Sequence, residues 1–161
     1  MAKPGWVIAV IVSAMVAAPA FAESEARPAK VECSSRASVS LITPLGLRIG
    51  HQVILTNGTR TFGVAAAHRR PYRYVAKFPV WFKSGGPETT VTVTGGAARA
   101  AAISFGSPRR PSTAVLISCR RDSQWLMFIG GIYVRQPTCV LVRFASGGRT
   151  HLVRVGVKRV C

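Results

Sequence analysis

A chain of 161 residues with 22 Lys and Arg against five Asp and Glu carries a formal net charge of +17 at pH 7. That length fits one domain with one core. So few carboxylates argue against chemistry that needs paired acids, and so basic a surface is drawn to anionic polymers or anionic membranes.

In chain order, the first element is a leader. Lys3 precedes the apolar run 6–18, and Pro19-Ala20-Phe21-Ala22 ends in small residues at the −3 and −1 positions. This pattern predicts a secretory signal peptide cleaved after Ala22, and so an exported protein with no membrane span in its mature chain. Loss of Lys3 leaves 21 basic residues against five acids, a net charge of +16. Residues 23–30, ESEARPAK, have charges, a proline and no apolar period. They are expected to be a flexible lead-in to one domain over 31–161.

Beyond it, short apolar runs alternate with turn-forming residues. Strands are predicted over 32–42, 48–55, 60–65, 77–83, 89–94, 99–105, 113–119, 126–134, 139–144 and 150–158. TPLG, NG, SGGPE, TGG, GSPRRP and SGGR separate many of them, and all are turn or loop chemistry. Asn57-Gly58 favours a tight hairpin. Apolar and polar residues alternate within the strands. Val91 and Val93 share one face, with Thr90, Thr92 and Thr94 on the other. Val140, Val142 and Phe144 oppose Leu141 and Arg143, and Val153, Val155 and Val157 oppose Arg154 and Lys158. A period of two marks half-buried antiparallel strands. Many such strands in succession predict an all-β antiparallel sandwich, immunoglobulin-like or related.

WLMFIGGIYV, residues 125–134, is the least polar stretch after the leader. As a helix it would rise only about 15 Å, half of a roughly 30 Å hydrocarbon core, so it cannot span a bilayer. The expected form is a buried segment bent at Gly130-Gly131.

Cys33, Cys119, Cys139 and Cys161 form an even set in an exported chain, which predicts two disulfides. A hairpin turning at Gly147-Gly148 places Cys139 opposite Gly156. Cys161 then lies about 17 Å further along a regular strand, beyond disulfide reach. The preferred pairing is therefore Cys119 with Cys139 and Cys33 with Cys161. Cys33 with Cys139 and Cys119 with Cys161 stays open. No Cys-x-x-Cys is present and His51, His68 and His151 lie far apart, so no metal site and no cofactor are expected.

Catalytic signals are weak. Asp122, the one aspartate, sits beside Arg120 and Arg121, where ion pairing or turn initiation accounts for it. No phosphate-cradling glycine motif is present. The chain is not expected to be an enzyme. Its most suggestive local features are basic: Arg69, Arg70 and Arg73 interleaved with Tyr72 and Tyr74, then Arg109-Arg110 and Arg120-Arg121. Guanidinium forks bind phosphate or carboxylate in pairs of hydrogen bonds, and aromatic rings stack on sugars or bases. Trp81, in the lysine-bracketed KFPVWFK, is core or an exposed platform. Expected partners are anionic cell-envelope polymers or lipid headgroups rather than nucleic acid. A protein partner meeting 125–134 or an open strand edge is the alternative.

The C-terminal half, about 75–161, shows Cys119, Trp125, Gly130-Gly131, Pro137-Thr138-Cys139-Val140, a Gly-Gly hairpin and Cys161. This pattern resembles small secreted actinobacterial proteins of uncharacterised function. The resemblance implies an exported domain and brings no catalytic residue with it.

Overall fold

The structure, a computed structural model, describes residues 27–55, 64–68, 70–105, 112–119 and 124–161. The leader and Asn57-Gly58 lie outside these residues. The described strands are β1 (Ala29–Val31), β2 (Ser38–Ser40), β3 (Leu47–Ile49), β4 (Val53–Leu55), β5 (Val64–Ala66), β6 (Tyr74–Lys83), β7 (Thr89–Thr94), β8 (Ala101–Phe105), β9 (Ala114–Ile117), β10 (Trp125–Val134), β11 (Thr138–Ser146) and β12 (Arg149–Val157).

They form a disulfide-stabilised all-β sandwich. One sheet has the order β1-β9-β7-β11-β12. The other follows β2-β10-β6-β4-β3, with β5 added beside β6 and β8 beside β10. All pairings are antiparallel except β1 with β9. The predicted alternation builds the core between the sheets. Val91, Val93, Val140, Val142, Phe144, Val153, Val155 and Val157 face inward from the first sheet. Phe78, Val80, Phe82, Phe128 and Ile132 meet them from the second.

Several boundaries differ from the sequence reading. The predicted 32–42 strand is interrupted by a 3₁₀ turn at Cys33–Ser35. The predicted 48–55 strand folds into a hairpin, because Gly50 takes a left-handed φ of +62° between β3 and β4. Ala29 and Lys30, expected in the lead-in, pair with Val115 and Leu116 of β9. Between β7 and β8, Arg99 ends a 3₁₀ turn (Gly96–Arg99) rather than opening a strand.

The 125–134 segment is not bent at its glycines. It is one continuous strand, paired with β6 through all ten residues. Gly130 lies opposite Phe78 on one side and Phe105 on the other. A Cβ at Gly130 would overlap the Phe105 ring. The glycine makes room for two core aromatics whose centroids lie 6.2 Å apart.

The preferred disulfide pairing is also overturned. The bridges are Cys33–Cys119 and Cys139–Cys161, with Cα separations of 5.6 and 5.8 Å. In the first, the parallel register sets Val31 beside Ile117, so the chains carry Cys33 and Cys119 forward side by side. The second would be out of reach if β12 ran straight to the C-terminus. The hairpin register is as expected, with Cys139 opposite Gly156 and Ser146 opposite Arg149. The strand nevertheless stops at Val157, and Lys158 takes a positive φ of 53°. The last residues fold back over Gly156, where a Cβ would collide with the Arg159 carbonyl oxygen. That reversal returns Cys161 to Cys139.

Candidate functional site

Arg69, Arg109, Arg110, Arg120 and Arg121 lie outside the described residues. Arg70 and Arg73 are exposed in the connection between β5 and β6. The backbone there is pinned. Arg73 N–H donates to the Val134 carbonyl at 3.0 Å, and its own carbonyl accepts from Ala67 N–H at 3.0 Å. The neighbouring aromatics are engaged within the fold. Tyr72 packs on Tyr133 with ring centroids 5.9 Å apart, and the Lys158 ammonium sits 4.8 Å from the Tyr74 ring centre. Trp81 is half-buried on the outer face of its sheet, in register with Ile54 on one side and Met127 on the other. The structure thus leaves Arg70 and Arg73 to solvent but does not join the aromatics to them as one open platform.

A second basic constellation lies at the other end of the sandwich. Three adjacent strands carry their inward rows past the apolar core into polar residues. On β11 the row Val142, Phe144 continues to Ser146. On β7 Val93, Val91 continues to Thr89. On β12 Val155, Val153 continues to His151. Register aligns these ends, with Ser146 opposite both Thr89 and Arg149, and Phe144 opposite both Val91 and His151. The β3–β4 turn of the other sheet faces them. Gly50 belongs to that turn, and a Cβ there would lie 2.9 Å from His151 Nε2. The missing side chain therefore lets the imidazole lie against the turn.

Between the two sheets at this end is a cleft of about 620 Å³, within the usual range of small-molecule sites. Ile49, Val53 and Phe144 supply apolar wall, while Arg48, His51, Arg149 and His151 are the basic residues that border it. No carboxylate side chain among the described residues lines it. Its polar wall is internally ordered. Thr89 Oγ1 donates to Ser146 Oγ at 3.1 Å, and Ser146 Oγ donates to Gln52 Oε1 at 2.6 Å. A hydroxyl has one proton, and the short contact to Gln52 takes it. The carbonyls of Pro87 and Glu88, at 3.3 and 3.1 Å, flank the same oxygen. With Gln52 Oε1 occupied as an acceptor, its Nε2 lies against Gly86, where a Cβ would collide with it.

In the sequence, His51 and His151 are read only as too far apart for a metal site, and Arg48, Gln52, Ser146 and Arg149 are not singled out. The signal was present. Extending the inward phase of Val140-Val142-Phe144 by two residues reaches Ser146, and running Val157-Val155-Val153 back by two reaches His151. The meeting of those ends with the β3–β4 turn was not legible, because 48–55 read as one strand.

No protein-family model matches the chain, and no curated protein shows significant similarity to it. Among the described residues, no group of three or more His, Cys, Asp or Glu could hold a metal ion, and no helix is long and apolar enough to cross a membrane.

Proposed function

We propose that this protein is a secreted, non-enzymatic sandwich module that binds anionic envelope polymers or lipid headgroups through exposed arginines. One observation carries the reading. Arg70, Arg73, Arg143 and Arg154 are all exposed, while Glu32 and Glu88 are the carboxylate side chains among the described residues. Such a surface has little internal neutralisation and holds a positive field toward solvent. Two disulfides suit an oxidising compartment outside the cell. The resemblance to secreted actinobacterial proteins points to the same compartment. The ordering of Ser146 supports binding over hydrolysis, since its proton goes to the Gln52 amide and not to an imidazole that could activate it.

Chromatography of the purified chain on a phosphate-polymer resin and on its uncharged counterpart tests this reading. Screening shortens from about 10 Å at 0.1 M salt to about 3 Å at 1 M. The expected result is retention on the charged resin at 0.1 M and release well before 1 M. The variant Arg70→Gln/Arg73→Gln should elute at lower salt. Equal retention on the neutral resin, or retention that persists at 1 M, would contradict the proposal.

A second reading, a module that contacts a protein partner, has its own observation. Leu41, Ile42 and Leu45 are 80%, 79% and 92% exposed in the connection between β2 and β3. It predicts saturable binding to envelope extract that salt does not weaken and that Leu41→Ser/Leu45→Ser abolishes.

A further inference from the structure

We infer that the inter-sheet cleft is a binding site for a phosphate-bearing polyol or sugar unit. The inference deepens the anion-binding reading and rests on it for the chemistry of the target. It assigns a built pocket where that reading has only exposed loops.

The cleft selects its ligand by three features. The first is charge from both sheets. Arg48 belongs to β3 and Arg149 to β12, and both residues border the same space. A guanidinium stays protonated at every working pH and presents paired N–H donors that match phosphate oxygens. No carboxylate side chain of the described residues lies in the lining to offset this charge. A doubly charged phosphate monoester, or successive phosphodiesters, would offset it.

The second feature is the polar wall. Gln52 is fixed from two directions. Its main-chain carbonyl accepts from Lys83 N–H at 2.9 Å, and its Oε1 accepts from Ser146. The side-chain amide also lies tight against Gly86, where a Cβ would collide with it. A preorganised wall of Gln52, Ser146 and Thr89 oxygens, each with a lone pair to spare, is suited to hydroxyl groups, because little rotamer freedom is lost when they bind. Polyols and sugars carry such hydroxyls, and bare phosphate does not. The third feature is size and shape. A volume of about 620 Å³ exceeds what inorganic phosphate needs and accommodates a phosphorylated polyol or sugar. The apolar faces of Ile49 and Val53 suit the C–H surface of such a unit.

This chemistry has two sources outside a cell: free phosphate monoesters and polymers of phosphodiester-linked polyols. The test is an amide chemical-shift titration of the 15N-labelled mature chain with four probes: glycerol 3-phosphate, poly(glycerol phosphate), glycerol and inorganic phosphate. The inference predicts saturable shifts grouped at Gly50, Gln52, Ser146, Gly147 and His151. Glycerol 3-phosphate or the polymer should bind at least tenfold more tightly than glycerol or inorganic phosphate. Whichever of these two binds more tightly identifies the source. Arg48→Gln/Arg149→Gln should weaken that binding at least tenfold. Arg143→Gln/Arg154→Gln removes the same charge from the outer face of the first sheet and should change it less than twofold. Both pairs are exposed, so the variant spectra should remain those of the folded sandwich.

Shifts scattered over the basic surface, equal response to phosphate and its ester, or equal weakening by the two double variants would overturn the assignment. Failure of the broader reading looks different. Salt-sensitive resin binding would vanish while the cleft still bound the ester. Conversely, resin binding that survives with a silent cleft would remove the cleft alone.

Discussion

Gly130 shows how one residue fixes the middle of this fold. Its neighbours across both strand pairings are Phe78 and Phe105, and the space a Cβ would need holds the Phe105 ring. Gly130→Ala should therefore overpack the core and destabilise the protein by about 1–3 kcal/mol, read from urea unfolding midpoints. A variant as stable as the parent would show that the ring can move aside freely. Gly156 has a parallel role at the C-terminus, where its missing side chain admits the Arg159 carbonyl. The glycines were visible in WLMFIGGIYV and LVRVGVK. What each made room for was not, because the obstructing atoms come from β8 in one case and from a chain reversal in the other. Alternation gave the inward residues correctly, since a period of two depends only on the strand itself. Contacts across strands depend on a register that no single segment encodes.

At the scale of elements, the disulfides record where local reasoning ended. The β11–β12 register follows from the Gly147-Gly148 turn, where both glycines have positive φ, and it places Cys139 opposite Gly156 as expected. The error lay beyond Val157, where Lys158 turns the chain. The bridge at the start of the domain depends on β1 joining β9 in parallel, and hairpin logic does not suggest that pairing. The two bridges close segments of different size, with sequence separations of 86 and 22. In the chain-entropy description the longer closure contributes about 4.6 kcal/mol and the shorter about 3.4 kcal/mol. Cys33→Ser/Cys119→Ser should thus lower thermal stability more than Cys139→Ser/Cys161→Ser. The shorter bridge fastens little beyond the final turn, which widens the difference. The opposite order of melting temperatures would mean that the C-terminal reversal, rather than β1, organises the sandwich. The cleft belongs to this scale too. Its polar row was readable strand by strand at Thr89, Ser146 and His151, while its opposite wall required the β3–β4 hairpin.

For the whole molecule, charge is the property that spans everything else. The sandwich buries its apolar rows between two sheets and leaves the arginines of the described residues at the surface. Composition alone indicated this imbalance, and the fold gives it locations: Arg70 and Arg73 at one end, Arg48 and Arg149 at the other, and Arg143 and Arg154 on an outer sheet face. The central proposal is that the protein is exported and that this charge holds it on an anionic envelope. Stepwise salt washing of intact producing cells, with the protein followed in medium, wash and pellet, tests it most directly. The account predicts that the protein stays with the cells at low salt and enters the wash as salt rises. Its appearance in the medium at low salt, with nothing further released by salt, would contradict the claim.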